Sequence, residues 1–210
     1  MPAELEEPID ATTVDPQRVR ELEHRARRCA SLGQHEAALA LLDEAVALDP
    51  NVGVLYYLRA NARCALGETD ATLDDFARAL ALGFDSYGVF HDRALARAEA
   101  GDEDGALEDY NEALARLPTA PESRNNRAMI FLRRGAYEAA LEDLRVAVAS
   151  TDGVTENGGL YECSMAEVLC ALERWDEAAE AMRAAIAASP RWREYVRTAD
   201  ELRGIRDRFK

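Results

Sequence analysis

The sequence predicts an all-α fold: a linear array of five similar helix pairs followed by a closing helical segment. Two observations carry this reading. Gly33, Gly67, Gly101 and Gly135 recur at a constant step of 34 residues, a period that marks stacked supersecondary units. Within the chain's 48% apolar content, Ala and Leu dominate while Val and Ile are sparse and aromatics make up only 7%, which favours helix over sheet.

Other columns keep the same step and extend it to a fifth unit. They are Ala26, Ala60, Ala94, Ala128 and Ala166; Ala38, Thr72, Ala106, Ala140 and Ala178; Leu42, Phe76, Tyr110, Leu144 and Met182; and Ala45, Ala79, Ala113, Ala147 and Ala185. In each column the last interval is 38. Four extra residues therefore fall in the turn-rich run between the fourth and fifth units. The units are 19–52, 53–86, 87–120, 121–154 and 159–192, with the insertion at 155–158.

Each element follows in order. Residues 1–16, with five carboxylates and three prolines, read as a disordered acidic arm, and the array occupies 17–192. Either side of each glycine, apolar residues recur at i, i+3, i+4 and i+7, as in Ala37, Leu41, Ala45 and Leu48, the pattern of an amphipathic helix. Glycine supplies the tight turn between the two. The small-residue columns allow two helices to approach closely. Pro50, Pro118 and Pro190 stop one helix pair and start the next. In the closing segment, 193–210, Val196 and Ala199 continue a helical stripe begun by Trp192, and Leu202, Ile205 and Phe209 form a second, as expected of a cap over the last exposed repeat face.

Charge and cysteine content exclude several functions. Forty acidic residues against 25 basic ones give a net charge of −15, opposing nucleic acid or an anionic membrane as partner. No run reaches the length of a membrane span and no basic-then-apolar leader opens the chain, so a cytoplasmic protein is expected. Cys29, Cys64, Cys163 and Cys170 form no C-x-x-C pair and read as reduced packing residues. His24, His35 and His91 share no metal-ligand spacing with them, so no metal and no cofactor is expected. Abundant Ala, with Arg in place of Lys, suggests a GC-rich bacterial source.

The 34-residue period, the central glycine and the small-residue columns resemble the tetratricopeptide repeat family, over about 174 of the 210 residues. The resemblance implies a right-handed superhelical solenoid of five helix-turn-helix units whose first helices line a concave groove. The chain departs from the family pattern in places. The large residue early in the first helix is Leu22, Tyr56 and Phe90, but then Arg124 and Glu162; Phe84 and Asp152 replace the terminal proline; and Glu173 stands where the fifth glycine belongs.

One departure suggests its own explanation. Position 7 of the unit, normally apolar, is Arg25, Arg59, Arg93 and Arg127, then Met165; position 23 is Leu41, then Asp75, Asp109 and Asp143, then Ala181. Charge matches charge within a unit in three cases and apolar matches apolar in the fifth. Salt bridges Arg59 to Asp75, Arg93 to Asp109 and Arg127 to Asp143 are expected inside single units.

On the concave face the resemblance implies partner contacts at Tyr57, Asn61, His91, Asp92, Asn125, Asn126, Met129 and Arg133. These combine hydrogen-bonding and apolar side chains, a mixture suited to an extended peptide or a partner helix. Family members that clamp the carboxylate of an acidic chaperone tail use Lys, Asn and Arg at set groove positions. Here the best register offers Tyr57, Asn61, Asp92, Glu122 and Asn126, and the only lysine is Lys210, so no such ligand is expected. The leading expectation is a non-catalytic protein-interaction scaffold or adaptor, with a dedicated secretion or assembly chaperone as the alternative. An enzyme is the remote one. His91 and Asp92 are neighbours about 100° apart on a helix, and the repeat sets no Ser or Cys nucleophile beside them.

Overall fold

In the computed structural model, residues 15–151 and 158–209 are described. Most of the predicted arm and the predicted insertion therefore lie outside the described residues. Eleven α-helices and no strand occur among the described residues. The chain divides into two compact units, one ending at Asp85 and the other starting at Ser86. The first holds α1 (Pro16–Ser31), α2 (His35–Leu48), α3 (Gly53–Ala65) and α4 (Thr69–Ala81). The second holds α5 (Tyr87–Glu99), α6 (Glu103–Arg116), α7 (Pro121–Arg133), α8 (Tyr137–Ala149), α9 (Gly158–Ala171), α10 (Trp175–Ala188) and the short α11 (Trp192–Thr198).

The helix boundaries follow from the sequence. Asp15 belongs to the folded part: its side chain accepts from the backbone N–H of Gln17 at 2.9 Å and of Arg18 at 3.3 Å, and Pro16 opens α1. Asp15 and Pro16, assigned to the arm in the sequence, thus belong to the first helix, because a carboxylate followed by proline makes an N-cap. Between the helices of each pair, the residue after the turn donates back to the carbonyl five residues earlier: Gln34 to Cys29, Glu68 to Arg63, Asp102 to Arg97, Ala136 to Phe131 and Arg174 to Leu169, all at 2.9–3.0 Å. Such a closure places the preceding residue in the left-handed region. Gly33, Gly67, Gly101 and Gly135 occupy it with φ of 72° to 86°, and Glu173 does so at φ 58°. The fifth turn therefore keeps its geometry without its glycine, at the steric cost of a Cβ.

The small columns are buried where the helices cross. Ala60, Ala94, Ala128 and Ala166, and facing them Ala38, Thr72, Ala106, Ala140 and Ala178, have no exposed surface, and Phe76, Tyr110, Leu144 and Met182 fill the space between pairs.

The expected ion pairs form, and each is larger than the sequence pattern suggested. Asp75, Asp109 and Asp143 are only 3%, 2% and 3% exposed. Arg59 grips Asp75 with Nε and Nη2 at 2.8 and 2.7 Å. Arg93 grips Asp109 and Arg127 grips Asp143 with the same two-point geometry. A second guanidinium then reaches each carboxylate: Arg63 to Asp75 at 2.7 Å, Arg97 to Asp109 at 3.0 Å and Arg124 to Asp143 at 2.7 Å. A buried carboxylate needs its oxygens fully hydrogen-bonded to offset lost hydration, and the second arginine does this. Hydrogen bonding to Asp75 in turn raises the pKa of Arg59 above its ordinary value.

The anomalous Arg124 is thereby explained. In the second and third repeats, position 4 is aromatic and position 11 is the second arginine: Tyr56 with Arg63, and Phe90 with Arg97. In the fourth the two exchange, giving Arg124 and Phe131. Positions 4 and 11 lie three before and four after position 7, so both flank it on one helix face. The central guanidinium lies over the aromatic ring in every case, Arg59 on Tyr56 at 5.2 Å, Arg93 on Phe90 at 5.7 Å and Arg127 on Phe131 at 5.7 Å. Arg25, with Leu41 opposite, instead lies 3.6 Å from Glu21 of its own helix.

The two stripes of the closing segment lie on separate short elements. Helix α11 stops at Ala199, whose backbone is extended at φ −69° and ψ 126°, and two 3-10 turns follow over Asp200–Leu202 and Arg206–Phe209. Both apolar stripes still face inward, with Val196, Leu202 and Ile205 fully buried. The chain can fold back this tightly because Gly204 lies against Trp175, where a Cβ would come within 2.1 Å of the ring.

Two predictions follow from these contacts. Replacing Asp109 with Ala should destabilise the protein by about 3 kcal/mol because two guanidiniums lose their partner. The combined Arg93→Met, Arg97→Leu and Asp109→Ala, which copies the fifth repeat, should recover most of that loss in denaturant unfolding; losses that simply add would exclude a coupled cluster. Glu173→Gly should stabilise by about 1 kcal/mol by relieving the left-handed strain, read as a raised unfolding midpoint; an unchanged or lowered midpoint would contradict it.

Candidate functional site

The expected partner contacts fall into both compact units. In the first, Tyr57 and Asn61 are half-buried on α3. The Tyr57 ring lies 6.2 Å from Phe76 and 5.4 Å from Phe84, so the residue also packs its own repeat.

In the second unit, a part-buried polar network links α5 to α7. His91 Nδ1 lies 2.6 Å from Ser123 Oγ and 3.3 Å from Tyr87 Oη, and the two hydroxyls are 3.0 Å apart. Tyr87 stacks on the imidazole at 5.4 Å, and Tyr110 meets it edge-on at 6.0 Å. Burial pushes the His91 pKa down and the Tyr87 pKa up, so the imidazole is neutral near pH 7 and acts as a hydrogen-bonding strut. The sequence reading set no nucleophile beside His91, and the structure corrects this: position 5 of one repeat and position 3 of the next bring in Ser123. A Ser–His pair at this distance has the geometry of base-assisted nucleophilic catalysis. Ser123, however, has no exposed surface, so the hydroxyl ties α5 to α7 and no substrate reaches it.

The remaining expected contacts are placed unequally. Asn125 is 7% exposed, and its Oδ1 is buried without a hydrogen-bond partner; its Nδ2 donates to Asn126 Oδ1 across a long 3.5 Å. Asn126 is half-buried and hydrogen-bonds Tyr110, joining α7 to α6. Arg133 is exposed but pairs with Glu103 at 2.7 Å, a carboxylate that also takes Arg134 at 3.0 Å; bonding to Arg133 and then Arg134 lowers the Glu103 pKa. Asp92 and Met129 are half-buried. Asn125 and Arg133 are thus engaged by the protein itself, while Asn126, Met129 and Asp92 keep some surface.

The closing segment contributes to this face, which sequence reasoning did not anticipate. Tyr195 of α11 donates to Glu167 Oε1 on α9 at 2.7 Å, and burial raises the Glu167 pKa. Beside this bond is a concavity of about 350 Å³, lined by Leu132 of α7, Glu167, Cys170 and Ala171 of α9, Glu173, Trp175 of α10, and Asp200, Glu201, Arg203 and Gly204. The apolar residues and carboxylates that meet there come from three separate stretches of chain. Leu160 on α9 is 36% exposed and Trp175 37%, leaving apolar surface uncovered.

The cysteines show no sign of a redox site. Cys163 and Cys170 are buried, Cys29 and Cys64 more open, and none of the four is in a disulfide. Burial raises the Cys163 pKa and pushes that of Cys170 up to about 11, so both stay protonated and unreactive near neutral pH. Among the described residues no group of His, Cys, Asp and Glu could hold a metal ion, and no helix is long and apolar enough to cross a membrane.

The tetratricopeptide repeat family model matches residues 91–154. No curated protein sequence matches the chain. Among solved structures, the fold is similar to YrrB, a tetratricopeptide repeat protein with an unusual peptide-binding site, at 20% identity and a TM-score of 0.70 over 86% of this chain and 89% of that one. It is also similar to MamA from Desulfovibrio magneticus, at 16% identity and 0.74 over 85% and 98%. A tetratricopeptide repeat protein from Parabacteroides merdae gives 19% identity and 0.74 over 92% and 76%. At such identities these likenesses concern the fold alone. Together with the family match over residues 91–154 and the 34-residue step, they show that the chain has the tetratricopeptide repeat fold.

Proposed function

We propose that the chain is a non-catalytic, cytoplasmic scaffold that binds an extended peptide or a helix of a partner protein. In the second unit the binding strip runs over Asp92, Asn126, Met129 and Leu160 and ends in the concavity beneath the closing segment. The observation that carries this reading is that concavity: helices from two repeats and the closing segment converge on it, and it keeps apolar surface uncovered beside hydrogen-bonding groups. A partner side chain that fills it would exchange water for Leu132 and Trp175, the kind of central anchor on which interface energy concentrates. In YrrB the shared fold carries a peptide-binding site, which supports reading this one the same way.

Charge restricts the partner. The concavity has four carboxylates, Glu167, Glu173, Asp200 and Glu201, against Arg203, so an acidic ligand is repelled. The reading therefore excludes acidic chaperone tails, nucleic acid and anionic membranes as partners. A reducing compartment suits cysteines that serve as packing residues.

Met129→Glu combined with Leu160→Glu tests the strip at two positions outside the hydrophobic core. Capture of the native partner should fall by about tenfold or more, while the unfolding midpoint moves by less than about 3 °C. Undiminished capture, or saturable micromolar binding of a peptide ending in an acidic chaperone tail, would overturn the reading.

A further inference from the structure

Away from the proposed groove, the last twenty residues of the sequence reverse the charge of the rest. They contain seven Arg or Lys and four Asp or Glu, whereas the preceding 190 contain 18 and 36. Three of these arginines and one aromatic ring define a concavity of about 590 Å³, lined by Arg193, Arg197, Arg206 and Phe209. Arg193 and Arg197 lie one turn apart on α11 and so share a face. Arg206 arrives from the last 3-10 turn, fixed by an Nη2 bond to the Ala199 carbonyl at 2.8 Å. Phe209 closes one side, with the Arg183 guanidinium over its ring at 6.0 Å.

The charge here is poorly compensated from within. No carboxylate lines the concavity. Arg197 has an exposed pairing with Glu194 at 3.2 Å, and Arg206 approaches Asp200 only to 3.9 Å. Arg206 Nε is buried without a hydrogen-bond partner. Where arginines converge elsewhere among the described residues, a carboxylate stands between them, Asp75, Asp109 and Asp143 in the core and Glu103 nearer the surface. Here three line one concavity with no carboxylate among its lining residues. Like charges held around one concavity repel one another and favour an anion between them.

We propose that this concavity binds the dianionic phosphate of a phosphate monoester, with Phe209 packing against the apolar body of the same ligand. Planar guanidinium forks match phosphate oxygens in geometry and charge. The volume well exceeds what a bare phosphate fills, and the ring offers a second, apolar contact. The site is separate from the groove, so its failure would leave the groove reading intact, and the converse holds.

Phenyl phosphate and inorganic phosphate, titrated calorimetrically into the full chain at constant ionic strength, test the proposal, with phenol as the uncharged control. The expected result is saturable one-to-one binding of phenyl phosphate, about tenfold tighter than inorganic phosphate because of the ring contact, and none of phenol. Arg193→Gln with Arg197→Gln should weaken it by about tenfold or more, and Phe209→Leu should narrow the preference for phenyl phosphate over inorganic phosphate. Arg193→Gln alone leaves Arg197 and Arg206 in place and serves if the double variant unfolds. Equal affinity for both phosphates would leave an adventitious ion only and overturn the proposal. So would non-saturating binding, or binding unchanged in the arginine variants.

Discussion

A carboxylate buried between two antiparallel helices is the constraint on which the middle of this array depends. Asp75, Asp109 and Asp143 are almost wholly buried, and an ionised group there is tolerable only if its hydration is fully replaced. One bidentate arginine does not suffice, so each aspartate takes a second. That requirement extends along the first helix of the repeat: position 7 must be arginine, one of positions 4 and 11 must be arginine, and the other is an aromatic ring beneath the central guanidinium. The fifth repeat abandons the cluster as a whole, with Met165, Leu169 and Ala181 in place of the ions. One charge retained without the others would be worse than none. Glu162, at position 4 of that repeat, shows the cost: Oε2 is buried without a partner, and burial raises the carboxyl's pKa.

The arginine clusters also join neighbours within the first compact unit. Arg59 reaches past Asp75 to Asp43 of the preceding repeat at 2.9 Å. Arg127, in the second unit, turns likewise to Asn111. A cluster that fixes helix geometry within a repeat thereby helps set the stacking of one repeat on the next, and stacking aligns the first helices whose exposed faces form the proposed binding strip.

Much of this was legible in the sequence because it is periodic. The step of 34 located every helix pair, and matching charge with charge between positions 7 and 23 identified three ion pairs. The second arginine was equally present in the sequence but concealed, because Arg124 and Phe131 exchange places and break the column that Arg63 and Arg97 begin. Features that depend on register between helices were not legible. Ser123 meets His91 only because position 3 of one repeat lies beside position 5 of the previous one, and Asn125 is buried by packing that a face-by-face reading cannot weigh. The closing segment has no repeat to compare with, so its break at Ala199 and the concavity under it came only from the structure.

The exchange of Arg124 and Phe131 offers the most direct test. If the cluster is one unit with two equivalent arrangements, Arg124→Phe and Phe131→Arg should each destabilise the chain, while the double variant rebuilds the arrangement of the second and third repeats. Denaturant unfolding of the four proteins should then give a favourable coupling of about 1–3 kcal/mol. A double variant whose loss equals the sum of the single losses would contradict the account.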